Sequence, residues 1–179
     1  MSGAGRPPGG WGWHPLDDLW AHRVVAAAAP RPGELVLDVG AGTGALTAHL
    51  VAVGARVVAV ELHPGRAATL RRRFADADVT VVEVNIAALR LPRRPFRVVA
   101  NPPYAGSTAL LRLLLDRGSL MQAADLVLQG AVVRRFVDGD LRGLRRPHRF
   151  RVERGMSLPR RAFHPPPRVD SAVLVVRRR

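Results

Sequence analysis

Short apolar runs rich in β-branched residues alternate along the chain with longer segments whose apolar residues recur at helical spacing. The strand-like runs are residues 34–39, 56–61, 79–84, 96–100 and 124–129. The helix-like segments are residues 17–29, 43–54, 63–75, 107–116 and 130–137. Strands that are apolar at successive positions are typically buried on both faces, and strands joined through helices pair in parallel. The pattern predicts a doubly wound, Rossmann-like α/β fold around a mostly parallel sheet.

The last part of the chain departs from this alternation. Residues 148–155 and 171–179 are strand-like, and the loop between them contains no predicted helix. We therefore expect a terminal antiparallel hairpin that completes a seven-stranded sheet. Residues 1–16, rich in glycine, proline and tryptophan, are predicted to form an N-terminal arm. Residues 17–179 are predicted to form a single domain.

The charge of the chain is strongly positive, and arginine supplies all of it. There are 28 arginines, no lysine and 14 acidic residues, which gives a formal net charge of +14. Such a charge favours polyanionic partners, above all nucleic acid, although a solvated basic surface is the alternative. Ten arginines and only three acids lie between residues 134 and 161. These ten are the predicted nucleic-acid contacts: Arg134, Arg135, Arg142, Arg145, Arg146, Arg149, Arg151, Arg154, Arg160 and Arg161.

Several other classes of protein are excluded by composition. The chain has no cysteine, which rules out disulfides and thiolate metal sites, and we predict no metal site of another kind. No apolar run approaches the roughly 18 residues of a membrane span, and the first residues do not resemble a signal peptide. We expect a cytoplasmic monomer with no membrane partner.

The segment DVGAGTG, residues 38–44, follows the first strand and opens a helix. Its glycines, which allow a tight turn and a close approach to a ligand, are Gly40, Gly42 and Gly44. With Glu61 about 20 residues further on, the segment fits a nucleotide-containing cofactor. A carboxylate at Asp38 would repel a pyrophosphate but suits the cationic amino-acid group of S-adenosylmethionine. Glu61, with two oxygens, is then the predicted acceptor for both ribose hydroxyls.

The segment Asn101-Pro102-Pro103-Tyr104 follows the fourth strand, at the edge where ligands bind in such sheets. The exocyclic amine of adenine is a poor nucleophile, and two acceptors aimed at its N–H bonds would hold it for reaction. The Asn101 side-chain oxygen and the Pro102 carbonyl can supply them, because proline fixes φ and stiffens the loop. Tyr104 offers a ring on which an extruded base can stack. A proline-stiffened surface turn is the alternative.

Five segments together resemble the ribosomal RNA adenine N6-methyltransferases. They are DVGAGTG, VVAVELHP, FRVVANPPY, ADLVLQ and LPRRAFHPPPRVDSAVLV. The resemblance is greatest to the Erm group, and NPPY and LVLQ are less like the sister group that dimethylates small-subunit rRNA. It implies methylation of an adenosine in the peptidyl-transferase centre of 23S rRNA, with S-adenosylmethionine as cofactor. It also implies resistance to macrolide, lincosamide and streptogramin B antibiotics.

The resemblance assigns roles to further residues. Phe163 matches the aromatic residue that packs on the target base, although a packing role at the hinge of the final hairpin fits it equally. The cofactor contacts that the resemblance implies, besides those above, are His14, Leu16, Leu62, Asn85 and Asn101. We expect no counterpart of the family's helical C-terminal domain, and we therefore expect the arginines to provide more of the RNA contact and site selection to be looser.

Two positions differ from the family pattern. Trp13 stands in place of a glutamine that contacts the cofactor, and Asn85 in place of an acid that meets its adenine amine. A non-catalytic RNA-binding or assembly factor with a degenerate methyltransferase fold is therefore an alternative function, against which the intact Asp38, Glu61 and Asn101 argue. A DNA adenine methyltransferase would need a target-recognition domain, and the charge of +14 disfavours a protein substrate.

Overall fold

The computed structural model describes residues 13–139, 144 and 148–179. Within them, one seven-stranded sheet is flanked by five α-helices. The strands are β1 (Leu35–Val39), β2 (Arg56–Glu61), β3 (Val79–Glu83), β4 (Phe96–Ala100), β5 (Met121–Gln129), β6 (Phe150–Leu158) and β7 (Ser171–Arg178). The helices are α1 (Asp18–Ala28), α2 (Ala45–Ala52), α3 (Pro64–Arg73), α4 (Ser107–Leu115) and α5 (Gly130–Asp138).

The strand order is β3-β2-β1-β4-β5-β7-β6, which confirms the predicted doubly wound fold. All neighbours from β3 to β5 pair in parallel, whereas β7 is antiparallel to both β5 and β6. The predicted terminal hairpin is thus confirmed, and β6 runs in the same direction as β5. The chain order reverses between β1 and β4, and in open sheets ligands bind beside the carboxyl ends of the strands at such a reversal.

Successive strand residues alternate between two apolar layers, as the pleat of a strand requires. On β4, Val98 faces the layer that packs under α4 and α5, and Val99 faces the layer that packs under α1 and α2. Leu126 and Val127 divide in the same way on β5. Burial of the central strands on both faces is therefore the reason that their sequences are apolar at successive positions.

The ends of the elements follow local capping chemistry. The Asp17 carboxylate accepts from the Leu19 amide at the start of α1, and the chain leaves this helix at Ala29 with φ +47° before Pro30. Strand β5 begins three residues earlier than expected, because Met121 pairs with Phe96 across an irregularity in the β4–β5 register. No helix in the described parts of the chain is long and apolar enough to cross a membrane.

The first described residues pack against the loop between β6 and β7. Leu16 and Phe163 form an isolated antiparallel bridge. The Asp17 amide donates to the Ala162 carbonyl at 2.8 Å, and the His164 amide donates to the Pro15 carbonyl at 3.0 Å. Residues 13–17 therefore reach across the carboxyl edge of the sheet, next to the reversal between β1 and β4.

Candidate active site

The glycine loop after β1 and the Asn-Pro-Pro-Tyr loop after β4 are in direct contact. Gly40 has φ +77°, and a Cβ atom added there would lie 2.9 Å from Pro103 Cδ and 3.2 Å from Pro102 Cα. Only glycine allows both the backbone conformation and this approach. The loop predicted to bind the cofactor and the loop predicted to bind the base therefore meet at one place.

A cavity of about 660 Å³ opens where these loops meet. Residues of the glycine loop and β2 line one part of it, including Gly40 and Glu61, and Asn101 and Tyr104 line another. A smaller adjoining cavity is lined by Asp38 and other residues of the glycine loop. This volume lies within the range of small-molecule sites, and both predicted halves of the active site face it.

Asp38 is almost fully buried at the end of β1. One carboxylate oxygen accepts a 2.7 Å hydrogen bond from the Thr47 hydroxyl, and the other has no partner among the described residues. Burial raises the pKa of Asp38 to about 7, although the hydrogen bonds from Thr47 oppose this shift. An unpaired buried carboxylate oxygen fits a cationic group, so this residue suits the amino-acid end of S-adenosylmethionine.

Glu61, at the end of β2, is also buried, but its two oxygens are already engaged. Oε2 accepts a 2.8 Å hydrogen bond from the Gly42 amide, which orients the carboxylate toward the glycine loop. Oε1 accepts from the His63 amide at 2.8 Å and from the Arg66 guanidinium at 2.9 and 3.2 Å. The predicted ribose acceptor therefore lines the cavity, and one of its oxygens is shared with a cation that the sequence pattern did not indicate.

Three contacts hold the residues predicted to bind the base. The Asn101 side-chain nitrogen donates to the His14 carbonyl at 2.9 Å. The His14 ring lies against the Tyr104 ring, with centroids 5.9 Å apart. The Tyr104 hydroxyl is 3.0 Å from the Ser171 hydroxyl at the start of β7, and partial burial raises the pKa of Tyr104 above its ordinary value. The loop is thus tied to both ends of the described chain.

Comparison with known proteins decides the family. A family model described as "Ribosomal RNA adenine dimethylase" matches residues 16–179. The chain belongs to this family. Membership, together with the fold, confirms the predicted cofactor, S-adenosylmethionine. The broader prediction of an rRNA adenine methyltransferase family is confirmed, and the narrower assignment to the Erm group is a proposal.

Two curated relatives of this dimethylase family member are both named for the small ribosomal subunit. Ribosomal RNA small subunit methyltransferase A of Cupriavidus metallidurans is 34% identical over 169 residues, which cover 89% of this chain and 61% of the relative. The protein of the same name from Verminephrobacter eiseniae is 35% identical, with 97% of this chain and 67% of the relative covered. The chain thus spans about three fifths of the length of the first of these relatives.

Solved structures show the same architecture. The crystal structure of the 23S rRNA methyltransferase ErmE matches with a TM-score of 0.79 and 31% identity, covering 92% of this chain and 69% of that chain. A dimethyladenosine transferase from Plasmodium falciparum matches with a TM-score of 0.76 and 22% identity, covering 92% and 62% of the two chains, and this likeness concerns the fold alone.

The remaining predicted cofactor contacts of this family member fall around the two cavities. Leu62 and Asn85 line the larger cavity, and Leu16 lines the smaller one beside Asp38. The Asn85 side-chain oxygen accepts from the Ala87 amide at 2.9 Å, so it caps a short turn. A second lone pair on that oxygen can still accept from an adenine amine.

Phe163 lies elsewhere than expected for a residue that packs on the target base. Its side chain is fully buried, and it belongs to the apolar layer formed with α1 and α2. It is not among the residues that line the larger cavity. The position supports the packing role stated above as the alternative, because the ring is enclosed in this layer and its backbone pairs with Leu16.

The predicted RNA-binding arginines separate into groups. Arg142, Arg145 and Arg146 lie outside the described residues. Six are exposed on α5, on β6 and in the turn after β6: Arg134, Arg135, Arg151, Arg154, Arg160 and Arg161. Since β6 is parallel to β5, the last two stand at the carboxyl edge of the sheet, the edge that also carries Asn101.

Arg149 differs from the other arginines of this cluster. Its guanidinium donates to the Leu115 carbonyl at 2.9 Å and to the Asp116 carbonyl, both at the end of α4. These contacts occupy the backbone acceptors that a helix leaves unpaired at its C-terminus. Arg149 therefore caps a helix in this structure, and its assignment as an RNA contact loses support.

Sequence reasoning missed three residues that shape the site. Thr47 holds Asp38, Ser171 holds Tyr104, and Arg66 holds Glu61. Ser171 lies far along the chain from Tyr104, and Thr47 lies nine residues after Asp38 in the next helix, where no spacing rule indicates the contact. Arg66 could have been noticed, since an arginine one turn into a helix that follows Glu61 can reach back to it.

Proposed function

We propose that this protein transfers a methyl group from S-adenosylmethionine to N6 of an adenosine in 23S rRNA. The observation that carries the proposal is the contact at Gly40 between the glycine loop and the Asn-Pro-Pro-Tyr loop, beside a shared cavity. A binding protein without catalysis would not need to hold both loops so close. Family membership supports the same chemistry.

The residues of the cavity account for the steps of such a transfer. When bound, S-adenosylmethionine supplies an electrophilic methyl group on its sulfonium sulfur. Asp38 would offer its unpaired oxygen to the cationic amino group, and Glu61 would accept from the ribose. Asn101 Oδ1 and the Pro102 carbonyl accept from the two N–H bonds of the target amine, which favours a pyramidal, nucleophilic nitrogen. The nitrogen would take the methyl group as its bond to sulfur breaks, S-adenosylhomocysteine would leave with that electron pair, and the extra proton on nitrogen would pass to solvent.

The choice of 23S rRNA rests on similarity. The match to ErmE supports it, and so do the NPPY and LVLQ segments, which are less like the small-subunit enzymes. With the Erm assignment comes a physiological proposal, that methylation confers resistance to macrolide, lincosamide and streptogramin B antibiotics. The exposed arginines near the carboxyl edge of the sheet supply the electrostatic attraction that an rRNA substrate requires.

A second candidate substrate is the small-subunit rRNA. It is favoured by the curated relatives at 34–35% identity, which bear the name of small-subunit methyltransferase A. The chemistry at the amine would be the same, and only the RNA held by the basic surface would differ.

The test is a transfer assay with labelled S-adenosylmethionine and four substrates: protein-free 23S rRNA, 16S rRNA, 50S subunits and duplex DNA. Labelled N6-methyladenosine from 23S rRNA alone is the expected result. Label in 16S rRNA alone would establish the second candidate, and label in DNA would contradict both. Cofactor binding without transfer to any substrate would identify a non-catalytic factor. Expression in a susceptible bacterium should raise the inhibitory concentration of erythromycin.

A further inference from the structure

The carboxylate of Glu61 has too many donors on one oxygen to accept a ribose there as well. Three N–H groups approach Oε1, one from His63 and two from Arg66. A carboxylate oxygen offers about two lone-pair sites, so Oε1 is saturated. Oε2 accepts one bond, from Gly42, and keeps one site. As it stands, the carboxylate can accept one ribose hydroxyl but not two.

Arg66 is held in this position by a second contact. Its guanidinium carbon lies 4.9 Å above the centre of the Trp13 ring. The ion pair is shielded from solvent, since the side chains of Arg66 and Glu61 are 17% and 4% exposed. A cation between a buried carboxylate and an aromatic face is attracted from both sides.

Trp13 is also closely seated on the glycine loop. A Cβ atom added at Gly42 would lie 2.7 Å from the indole Nε1. Trp13 lines the larger cavity together with Glu61 and Arg66, and it lines the smaller cavity beside Asp38 as well. A ligand that reaches both Glu61 and Asp38 must therefore pass the indole.

We propose that Trp13 and Arg66 form a latch that competes with the cofactor for Glu61. The latch rests on the proposed function, because it takes S-adenosylmethionine as the ligand of Glu61 and Asp38. For Glu61 to accept both ribose hydroxyls, the guanidinium must leave Oε1, and the Trp13 ring, which packs on it, must shift with it. The latch therefore lowers cofactor affinity and slows its entry.

The latch is tested by calorimetric binding of S-adenosylhomocysteine to the whole chain and to Arg66→Gln. Glutamine can still donate one hydrogen bond to Glu61, so the carboxylate keeps a partner and the fold is retained. We expect the dissociation constant to fall roughly three- to tenfold, a change of about 0.7 to 1.4 kcal/mol in binding free energy. The matched control is Arg71→Gln on the same helix, where the arginine pairs with Glu83 at 3.4 Å. The affinity of this variant for S-adenosylhomocysteine should equal that of the unaltered chain.

The part played by the indole is tested by stopped-flow association with Trp13→Leu. The association rate should rise severalfold, because a smaller side chain lets the ligand pass between the two cavities. An Arg66→Gln protein that binds equally or more weakly than the unaltered chain would overturn the latch while leaving the proposed function intact. If the unaltered chain and both variants fail to bind S-adenosylhomocysteine, the proposed function falls and the latch falls with it.

Discussion

The side-chain nitrogen of Asn101 donates a 2.9 Å hydrogen bond to the backbone carbonyl of His14. This contact occupies the amide nitrogen of Asn101 with the N-terminal segment, so Oδ1 is the atom that Asn101 can offer to a base as an acceptor. His14 also packs on Tyr104, so one residue contacts both the predicted amine acceptor and the ring predicted to stack the base. The first residues of the described chain therefore act on the chemistry at the end of β4.

Replacing Asn101 by alanine should abolish most methyl transfer while sparing cofactor binding. Loss of one preorganised hydrogen-bond partner typically costs a hundredfold or more in kcat, roughly 10²–10³. The measurement is labelled methyl transfer to 23S rRNA beside calorimetry with S-adenosylhomocysteine. Transfer at the rate of the unaltered chain would remove Asn101 from its proposed role.

Cofactor affinity should depend on pH through Asp38. Burial raises the pKa of Asp38 to about 7. Between about pH 4 and pH 7 the folded protein without ligand therefore keeps a proton on Asp38 that the unfolded chain has lost. Its free energy of unfolding falls as the pH rises through this range. A cationic ligand favours the ionised form of Asp38, so below pH 7 ligand binding must displace the proton from this carboxyl group. We expect affinity for S-adenosylmethionine to fall by up to about tenfold for each pH unit below 7.

The pH dependence is measured by calorimetry between pH 5.5 and pH 8.5, taken as about one and a half units either side of the Asp38 pKa. Asp38→Asn is the control, since an amide does not titrate. This variant should bind more weakly at pH 8 and should lose the dependence. An unchanged pH profile in Asp38→Asn would assign the titration to another group.

The Tyr104 ring should matter more than its hydroxyl. Tyr104→Phe removes the hydrogen bond to Ser171 but keeps the stacking face, whereas Tyr104→Ala removes both. Stacking of a base on an aromatic ring is worth about 1–3 kcal/mol, so transfer by Tyr104→Ala should fall roughly 5- to 150-fold. Ser171→Ala should reproduce the small effect of Tyr104→Phe. Equal losses in the phenylalanine and alanine variants would show that the hydroxyl carries the function.

Phe163 should contribute to stability and not to the chemistry. Phe163→Ala removes a fully buried ring and should lower the free energy of unfolding by about 3–5 kcal/mol. Phe163→Leu fills more of the space and should keep most methyl transfer with a smaller loss of stability. Thermal unfolding is compared with transfer at a temperature where both variants are folded. A folded Phe163→Leu protein without activity would restore the base-packing role.

The exposed arginines at the carboxyl edge should set the salt dependence of RNA binding. Replacing Arg160 and Arg161 together by alanine should weaken binding and reduce the slope of log K against log salt by roughly 1.5, at about 0.7–0.9 per phosphate contact. The control is Arg31→Ala, an exposed arginine before β1 at the opposite edge. Filter binding of 23S rRNA fragments at several salt concentrations measures the affinity and its salt slope for each protein. Equal slopes in all three proteins would exclude this edge from the RNA interface.

Much of the site could be predicted because its residues lie at strand ends. Asp38, Glu61 and Asn101 lie at or directly after the ends of apolar runs, and the carboxyl ends of parallel strands meet at one edge. The glycines and prolines could also be interpreted, because their backbone restrictions are local properties. The contact between the two loops at Gly40 is a feature of the tertiary structure.

The sequence by itself determined the order of helices and strands, the seven-stranded sheet and the two loops of the site, since these follow from periodicity and backbone chemistry. Only the tertiary structure decided which partners the side chains take. Phe163 is buried because the N-terminal segment crosses it, and Arg149 caps α4 because β6 passes that helix end. Such partners come from segments that are distant along the chain, and burial and hydrogen bonding depend on proximity in space.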